Sequence, residues 1–259
     1  MKKTGARLVV RDVALSFGGI QALRSVSFEA APSELVALVG PNGAGKTAML
    51  NCINGIYHPR SGEILLDGER IAGHPLCKMV ELGVGRAFQH AELFPHLTVM
   101  ENLLIGRHRS FRAGAFMSGL YFGRARTEEG EARRRIEAII DFFEIYRHRN
   151  TPVGMLSYGI QKLVGVARAL ATEPKLLLLD EPSTGLIREE RENLARFILR
   201  IIHDIGPTIV WVEHDMQMVS DLADRVVVLN HGSKIAEGQP REVADSPDVI
   251  VAYLGQPLA

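Results

Sequence analysis

Residues 35–47 read Leu-Val-Ala-Leu-Val-Gly40-Pro41-Asn42-Gly43-Ala44-Gly45-Lys46-Thr47, and Ala-Met-Leu-Asn-Cys-Ile follows. An apolar, β-branched run, a small-residue loop ending in Lys-Thr and a helix-like run form one strand-loop-helix unit. In that context the small residues let successive backbone N–H groups converge on a polyphosphate, and the helix adds its positive end. Lys46 then reaches the β- and γ-phosphates, and the Thr47 hydroxyl is a ligand for Mg²⁺. The unit decides the fold, because a phosphate loop of this kind opens the first βα crossover of a mostly parallel sheet.

The rest of the chain repeats that logic. Short apolar runs alternate with longer helical patterns, and strands are expected at 7–15, 26–29, 35–39, 63–66, 176–179 and 209–212, with a pair around the tight turn Asn230-His231-Gly232. Helices are expected after Gly45, at 98–105 and 128–147, after Gly159, at 188–205 and after Asp215. The strand Leu176-Leu-Leu-Leu ends in Asp180-Glu181-Pro182 and delivers two adjacent carboxylates. Asp180 is placed to hold a hydrated Mg²⁺, and Glu181, on the other side of the strand, to polarise an attacking water. Phosphate loop and carboxylate pair together specify a nucleoside-triphosphate hydrolase.

Composition narrows the class. The 259 residues carry 30 Lys+Arg against 30 Asp+Glu, with 46% hydrophobic and 23% charged residues, which suits a folded chain of one or two domains. A protein that neutralises nucleic-acid phosphates needs a basic excess, and this chain has none, so no nucleic-acid partner is expected. The two cysteines, Cys52 and Cys77, lack metal-ligand spacing and suggest a reducing compartment. No apolar run approaches the roughly twenty residues of a membrane span.

A third motif, Leu156-Ser157-Tyr158-Gly159-Ile160-Gln161-Lys162, opens a helix with apolar residues at 163, 166, 167 and 170. Read alone, Ser157 is an N-cap. The order Gly-rich loop, Leu-Ser-x-Gly, Asp-Glu resembles the ATP-binding-cassette family from about Leu8 to Leu254. The resemblance implies that Ser157 and Gly159 grip the γ-phosphate of ATP held by a facing subunit. It further implies that Gln89, in Arg-Ala-Phe-Gln, belongs to the loop linking the nucleotide site to the membrane partner and touches the metal-water shell. By the same resemblance, His214, after Ile-Val-Trp-Val-Glu, is the switch histidine at the γ-phosphate, and Phe17 stacks on adenine. Within the family the chain is most similar to the ATPase subunits of branched-chain (hydrophobic) amino acid uptake systems of bacteria. That similarity rests on Arg86-Ala-Phe-Gln-His with Leu93-Phe-Pro-His-Leu-Thr-Val-Met-Glu-Asn-Leu-Leu, on the tyrosine of Leu-Ser-Tyr-Gly, on Val212-Glu-His-Asp-Met and on the ending Ser246-Pro-Asp-Val-Ile-Val-Ala-Tyr-Leu-Gly.

The resemblance implies an α/β fold: a single nucleotide-binding domain over 1–259, with a RecA-like parallel-sheet core, an antiparallel β subdomain and an α-helical signature subdomain at roughly 90–170. It implies ATP and Mg²⁺ as cofactors and a second ATPase subunit, same or different, that sandwiches two ATPs. Transmembrane permease subunits and, indirectly, a periplasmic solute-binding protein are the further partners, at the cytoplasmic face of the inner membrane. ATPases for urea, amides or lipopolysaccharide share part of the pattern. Soluble relatives acting on nucleic acid usually carry two cassettes, a coiled-coil insertion or a basic linker, none of which occurs here. An insertion at 106–127 holds Arg107, Arg109, Arg112, Arg124 and Arg126 among Phe111, Phe116, Tyr121 and Phe122, with no acidic residue. It reads either as a solvated loop or as a segment lying near anionic lipid. Two departures from the family pattern stand out: Ile160, where Gln is common, and Ile187, where Asp or Asn is usual.

Overall fold

The computed structural model describes residues 5–88, 92–107 and 124–254, without the side chains of 124–128 and 254. Gln89 and most of the 106–127 insertion therefore lie outside the described residues. The chain divides into two compact units, Met1–Arg86 with Lys175–Ala259, and Ala87–Pro174.

In the first unit, β1 (Leu8–Phe17) and β2 (Ile20–Ala30) form an antiparallel hairpin. With β4 (Ser61–Leu66) and β5 (Glu69–Arg70) they make a four-stranded sheet of order β2-β1-β4-β5. The second sheet has the order β10-β9-β3-β8-β7-β6, with β3 (Leu35–Val39) between β8 (Thr208–Val212) and β9 (Arg225–Asn230), and β7 (Leu176–Asp180) beyond β8. The β9-β3, β3-β8 and β8-β7 pairings are parallel, while β10 (Ser233–Gly238) runs antiparallel to β9. Every residue of β3, β7 and β8 is buried, which is why these strands read as unbroken apolar runs rather than alternating ones. The edge strand β6 is Val84–Ala87.

Helix α1 (Lys46–Ile53) has only eight residues, too few to persist alone. Packing holds it: Met49, Leu50, Cys52 and Ile53 join one buried cluster with Leu8, Val13 and Val26 of the antiparallel sheet and Leu38, Val212 and Val227 of the parallel one. The β9-β10 turn has the expected chemistry, with His231 and Gly232 both at positive φ (46° and 81°). Helices α2 (Leu76–Glu81), α6 (Arg188–Arg200), α7 (Met216–Leu222), α8 (Pro240–Ala244) and α9 (Pro247–Leu254) complete the described elements of this unit.

The second unit contains α3 (Val99–Gly106), α4 (Arg124–Phe142) and α5 (Tyr158–Leu170). Helix α3 starts in a reciprocal capping box: Thr98 Oγ1 accepts from Glu101 N at 3.2 Å, and Glu101 Oε2 accepts from Thr98 N at 2.8 Å. Such a cap is worth about 1 kcal/mol. The fully buried Asn102 ties the preceding loop down by donating to the carbonyls of Phe94, Leu97 and Thr98 and accepting from Phe94 N.

Several boundaries differ from the sequence reading. Strand β2 begins at Ile20 rather than 26, because Gly18 (φ 55°) lets β1 and β2 pair up to the turn. The helix expected at 128–147 stops at Phe142, with Glu144 in the left-handed region (φ 59°) and a short 3₁₀ turn Tyr146–His148 after it. The helix expected at 188–205 is α-helical only to Arg200; Ile201–Ile205 form a π turn closed by Gly206 at φ 75°. No helix among the described residues is long and apolar enough to cross a membrane.

Candidate active site

The small-residue loop leaves β3 at Val39 and enters α1 at Lys46, and its neighbours dictate its glycines. At Gly40 (φ 146°) a Cβ would sit 2.0 Å from Leu229 O, and at Gly45 (φ 103°) it would sit 2.6 Å from Ala22 O. No side chain fits either position, and both backbones favour glycine. Hydrogen bonds close the contact: Gly232 N donates to Ala44 O (3.0 Å) and Arg24 N to Gly232 O (2.7 Å). The loop is thus pressed between β2 and the β9-β10 turn. Lys46 is buried, its Nζ donating to Gly40 O (2.7 Å) and Pro41 O (3.0 Å). Burial holds its pKa below the ordinary lysine value, opposed by the nearby Glu181 and Asp180 charges. Asn42 and Gly43 at the exposed end of the loop, and the first turn of α1, carry no acidic side chain of their own, which suits N–H groups that receive an anion.

Strand β7 brings Asp180 beside Thr47, with Oδ1 3.5 Å from Thr47 Oγ1. Its other oxygen, Oδ2, accepts from Arg86 Nη2 at 2.7 Å, and Arg86 Nη1 donates to Asn51 Oδ1 on α1 at 2.6 Å. Arg86 was not among the residues singled out from sequence. It stands on β6, three positions before Gln89, and nothing in the pattern Arg-Ala-Phe-Gln shows that its guanidinium turns back to Asp180. A monodentate carboxylate beside a hydroxyl is the protein share of a Mg²⁺ site whose other ligands are phosphate and water.

Glu181 is not the next residue of the strand, as the simple alternation of a pleat expects. The strand ends at Asp180, and Glu181 adopts the left-handed conformation (φ 47°) while its N–H donates to Val212 O at 2.9 Å. That turn, an unfavourable one for a residue with a Cβ, sends the carboxylate toward the loop after β8, where Oε2 lies 3.2 Å from His214 Nε2. Thr184 Oγ1 is 3.4 Å from both Glu181 Oε2 and His214 Nε2. Beneath them lies Glu213, wholly buried, accepting from Ser183 Oγ at 2.6 Å and from His214 N at 2.8 Å. Sequence reading passed over Glu213 and Ser183. The only signal for Glu213 was an acidic residue directly after a buried strand.

Lys46, Thr47, Asp180, Glu181 and His214 are therefore gathered at the C-terminal ends of adjacent strands and the start of α1. Phe17 ends β1, 47% exposed, with its ring set edge-on against Tyr57 at 4.9 Å between centroids. In the other unit Ser157 is the N-cap of α5, its Oγ accepting from Ile160 N at 3.4 Å, and Gly159 is buried in the first turn. Ile187, before α6, is 64% exposed. Gln89 lies outside the described residues.

Comparison with known proteins identifies the family. Residues 23–184 match the ABC transporter family, and residues 233–259 match the family described as branched-chain amino acid ATP-binding cassette transporter. The high-affinity branched-chain amino acid transport ATP-binding protein LivG of Escherichia coli (strain K12) is 39% identical over 249 residues, covering 96% of this chain and 98% of LivG. A solved ATP-binding cassette of an ABC transporter in its ADP conformation superposes with a TM-score of 0.84 at 28% identity, covering 97% of this chain and 99% of its own. The dimeric structure of a bacterial ABC transporter cassette gives 0.75 at 26% identity, covering 90% and 99%.

Proposed function

This chain belongs to the ATP-binding-cassette family of transporter ATPases, and from that premise we propose that it powers a bacterial importer of branched-chain amino acids. The observation that carries the reading is the similarity to LivG over 96% of this chain, together with Lys46, Thr47, Asp180, Glu181 and His214 gathered at the C-terminal ends of adjacent strands. A cassette of this family is an ATPase, so the proposal concerns which residues act and what the work moves.

The ATP phosphates lie on the backbone N–H groups of residues 42–47, Pro41 having none to offer. Lys46 exchanges the Gly40 and Pro41 carbonyls for the β- and γ-phosphate oxygens, and Phe17 offers its exposed ring face to the adenine. Thr47 and Asp180 would hold Mg²⁺, which would supply neutralisation of phosphate charge, and the family resemblance adds Gln89 to that set. Glu181 orients the attacking water and takes its proton as the water oxygen bonds to the γ-phosphorus and the bond to ADP breaks. His214, already against Glu181, donates to the γ-phosphate and keeps the carboxylate aimed at the water. Ser157 and Gly159, at the start of α5, serve the ATP of a facing ATPase subunit, so two chains close around two nucleotides. Residues 90–170 act as the helical signature subdomain of one nucleotide-binding domain. Closure and reopening drive permease subunits at the cytoplasmic face of the membrane, a ligand-gated motion of the lid type.

Reconstitution of the chain with its permease subunits in liposomes tests the assignment. ATP-dependent uptake of leucine, isoleucine or valine, presented by a periplasmic binding protein, is the expected result. ATP turnover that these amino acids leave unstimulated, with uptake of urea or an amide instead, would reassign the solute and keep the ATPase.

A further inference from the structure

The register between β7 and β8 ends at Asp180 and Val212, with one further hydrogen bond from Glu181 N to Val212 O. Beyond that point both chains leave the sheet, yet this is where Glu181 and His214 must meet to within hydrogen-bond reach. Something other than the ladder has to hold the two loops in register. Two described groups do so: Thr184 Oγ1, which meets the His214 imidazole at 3.4 Å, and the carboxylate of Glu213, which reaches the backbone of the histidine loop.

Glu213 has no exposed surface. A buried carboxylate is costly unless it is paired or fully hydrogen-bonded. No ion pair among the described residues includes it. Its acceptors are instead used by three donors: Ser183 Oγ at 2.6 Å on Oε2, and His214 N at 2.8 Å and Asp215 N at 3.4 Å on Oε1. The first donor lies two residues after Glu181, and the other two belong to the histidine loop. One side chain therefore spans both loops, with one oxygen for each. The far side of His214 is anchored independently: Asp215 caps α7 through Met218 N (3.1 Å) and pairs with Arg191 on α6 (3.0 Å). His214 is thus fixed through its backbone from below and from behind, leaving the imidazole free to face Glu181 and Thr184.

We propose that Glu213 is a positioning residue for ATP hydrolysis: its carboxylate clasps Ser183 to the backbone of His214 and so sets the Glu181-His214 pair. The inference rests on the ATPase reading. It requires acceptor geometry rather than a specific ion pair, so glutamine, which keeps an acceptor oxygen for the His214 and Asp215 N–H groups and turns its amide toward the Ser183 oxygen, preserves most of the clasp. Leucine, of similar volume, leaves the buried Ser183 hydroxyl and the part-buried N–H groups of His214 and Asp215 without this acceptor.

The test uses the full chain for nucleotide binding and the assembled complex for turnover, with wild type and Glu181→Gln as references. Glu213→Leu should lower kcat by about ten- to a hundredfold, the loss expected when a charge-assisted contact that aims a catalytic pair is removed, while KM for ATP stays within about threefold. Glu213→Gln should recover most of that kcat. Ser183→Ala should show a smaller kcat loss, and adding it to Glu213→Leu should cost nothing more, because both changes open the same clasp. A kcat for Glu213→Leu within threefold of wild type, a KM rise that matches the kcat loss, or a Glu213→Gln chain as impaired as Glu213→Leu would each overturn the proposal. If Glu213→Leu does not fold, Ser183→Ala decides alone: unchanged kcat refutes the clasp. Absence of turnover in wild type itself would instead refute the ATPase reading.

Discussion

Replacing Arg86 by methionine is the most exacting probe of how the carboxylate at the nucleotide site is held. The Arg86 and Asp180 side chains are only 5% and 4% exposed and lie 2.7 Å apart, so the substitution leaves a buried carboxylate facing an apolar side chain. Removing one member of a buried pair costs about 3–5 kcal/mol, because the remaining charge keeps its desolvation penalty and loses its compensation. In a folding unit of this size that corresponds to a fall in Tm on the order of 10 °C. The pairwise part is isolated by a double-mutant cycle with Asp180→Asn, which removes the other charge. Thermal and urea denaturation of the full chain should show Arg86→Met and Asp180→Asn each strongly destabilised, and the double variant recovering at least about 2 kcal/mol of the summed loss. Because Arg86 also bonds Asn51 on α1, part of its own loss should persist in the double variant. Additive losses, or an Arg86→Met chain within about 1 kcal/mol of wild type, would show that the pair contributes little and that Asp180 is oriented by other means.

Three further outcomes are expected. Glu181→Gln should bind ATP as wild type does but turn it over at least about a hundredfold more slowly, whereas Lys46→Ala should weaken nucleotide binding itself; both are read from equilibrium binding and phosphate release in the complex. Ile187, exposed and without a polar group, can make no hydrogen bond to a facing phosphate loop. In a heterodimer the site built on this chain's own loop should therefore hydrolyse faster, and Ile187→Asp should speed the opposite one; equal turnover after Glu→Gln placed in each subunit would refute this. Burial pushes the Cys52 thiol up from 9.0 to about 12, while Cys77 is exposed, so at pH 8 a thiol reagent should label one cysteine in the native chain and both after denaturation. The sign for stability follows: the contribution from neutral, buried Cys52 is complete below the unfolded-state pKa and is lost as pH rises from about 9 toward 12, readable in alkaline melts against Cys52→Ala.

Much of this molecule could be read from its sequence because strong local signals and burial point the same way. The loop 40–47, the runs 35–39, 176–179 and 209–212, the Ser157 cap, the helix starts near Thr98 and Asp215 and the Asn230-His231-Gly232 turn are each specified within a few residues. Elements of weak local character escaped. Helix α2 buries only Met79, and β6 offers four residues, one of them Gly and one Arg, so neither shows a period. At the site, Lys46, Thr47, Asp180, Glu181 and His214 were legible as motif positions, but the left-handed turn at Glu181 was not. It depends on the bond to Val212 from a strand more than thirty residues away. Arg86, Ser183 and Glu213 went unnoticed for the same reason: the contacts Arg86–Asp180 and Ser183–Glu213 join residues distant in sequence, and a polar residue beside a strand is ambiguous until the pairing is known.

The packing of Gly40 against Leu229 and of Gly45 against Ala22 has a thermodynamic corollary for nucleotide capture. A free glycine-rich loop would surrender about 1–2 kcal/mol of conformational entropy per residue on wrapping a polyphosphate, which for six residues approaches the whole affinity of a micromolar ligand. Here the loop is moulded by two neighbouring strands, so that ordering cost falls on folding and is absent from binding. Association should accordingly proceed without a slow unimolecular phase, and the heat-capacity change on binding ATP to a single chain should be small. The temperature dependence of affinity then belongs mainly to the step in which two chains close.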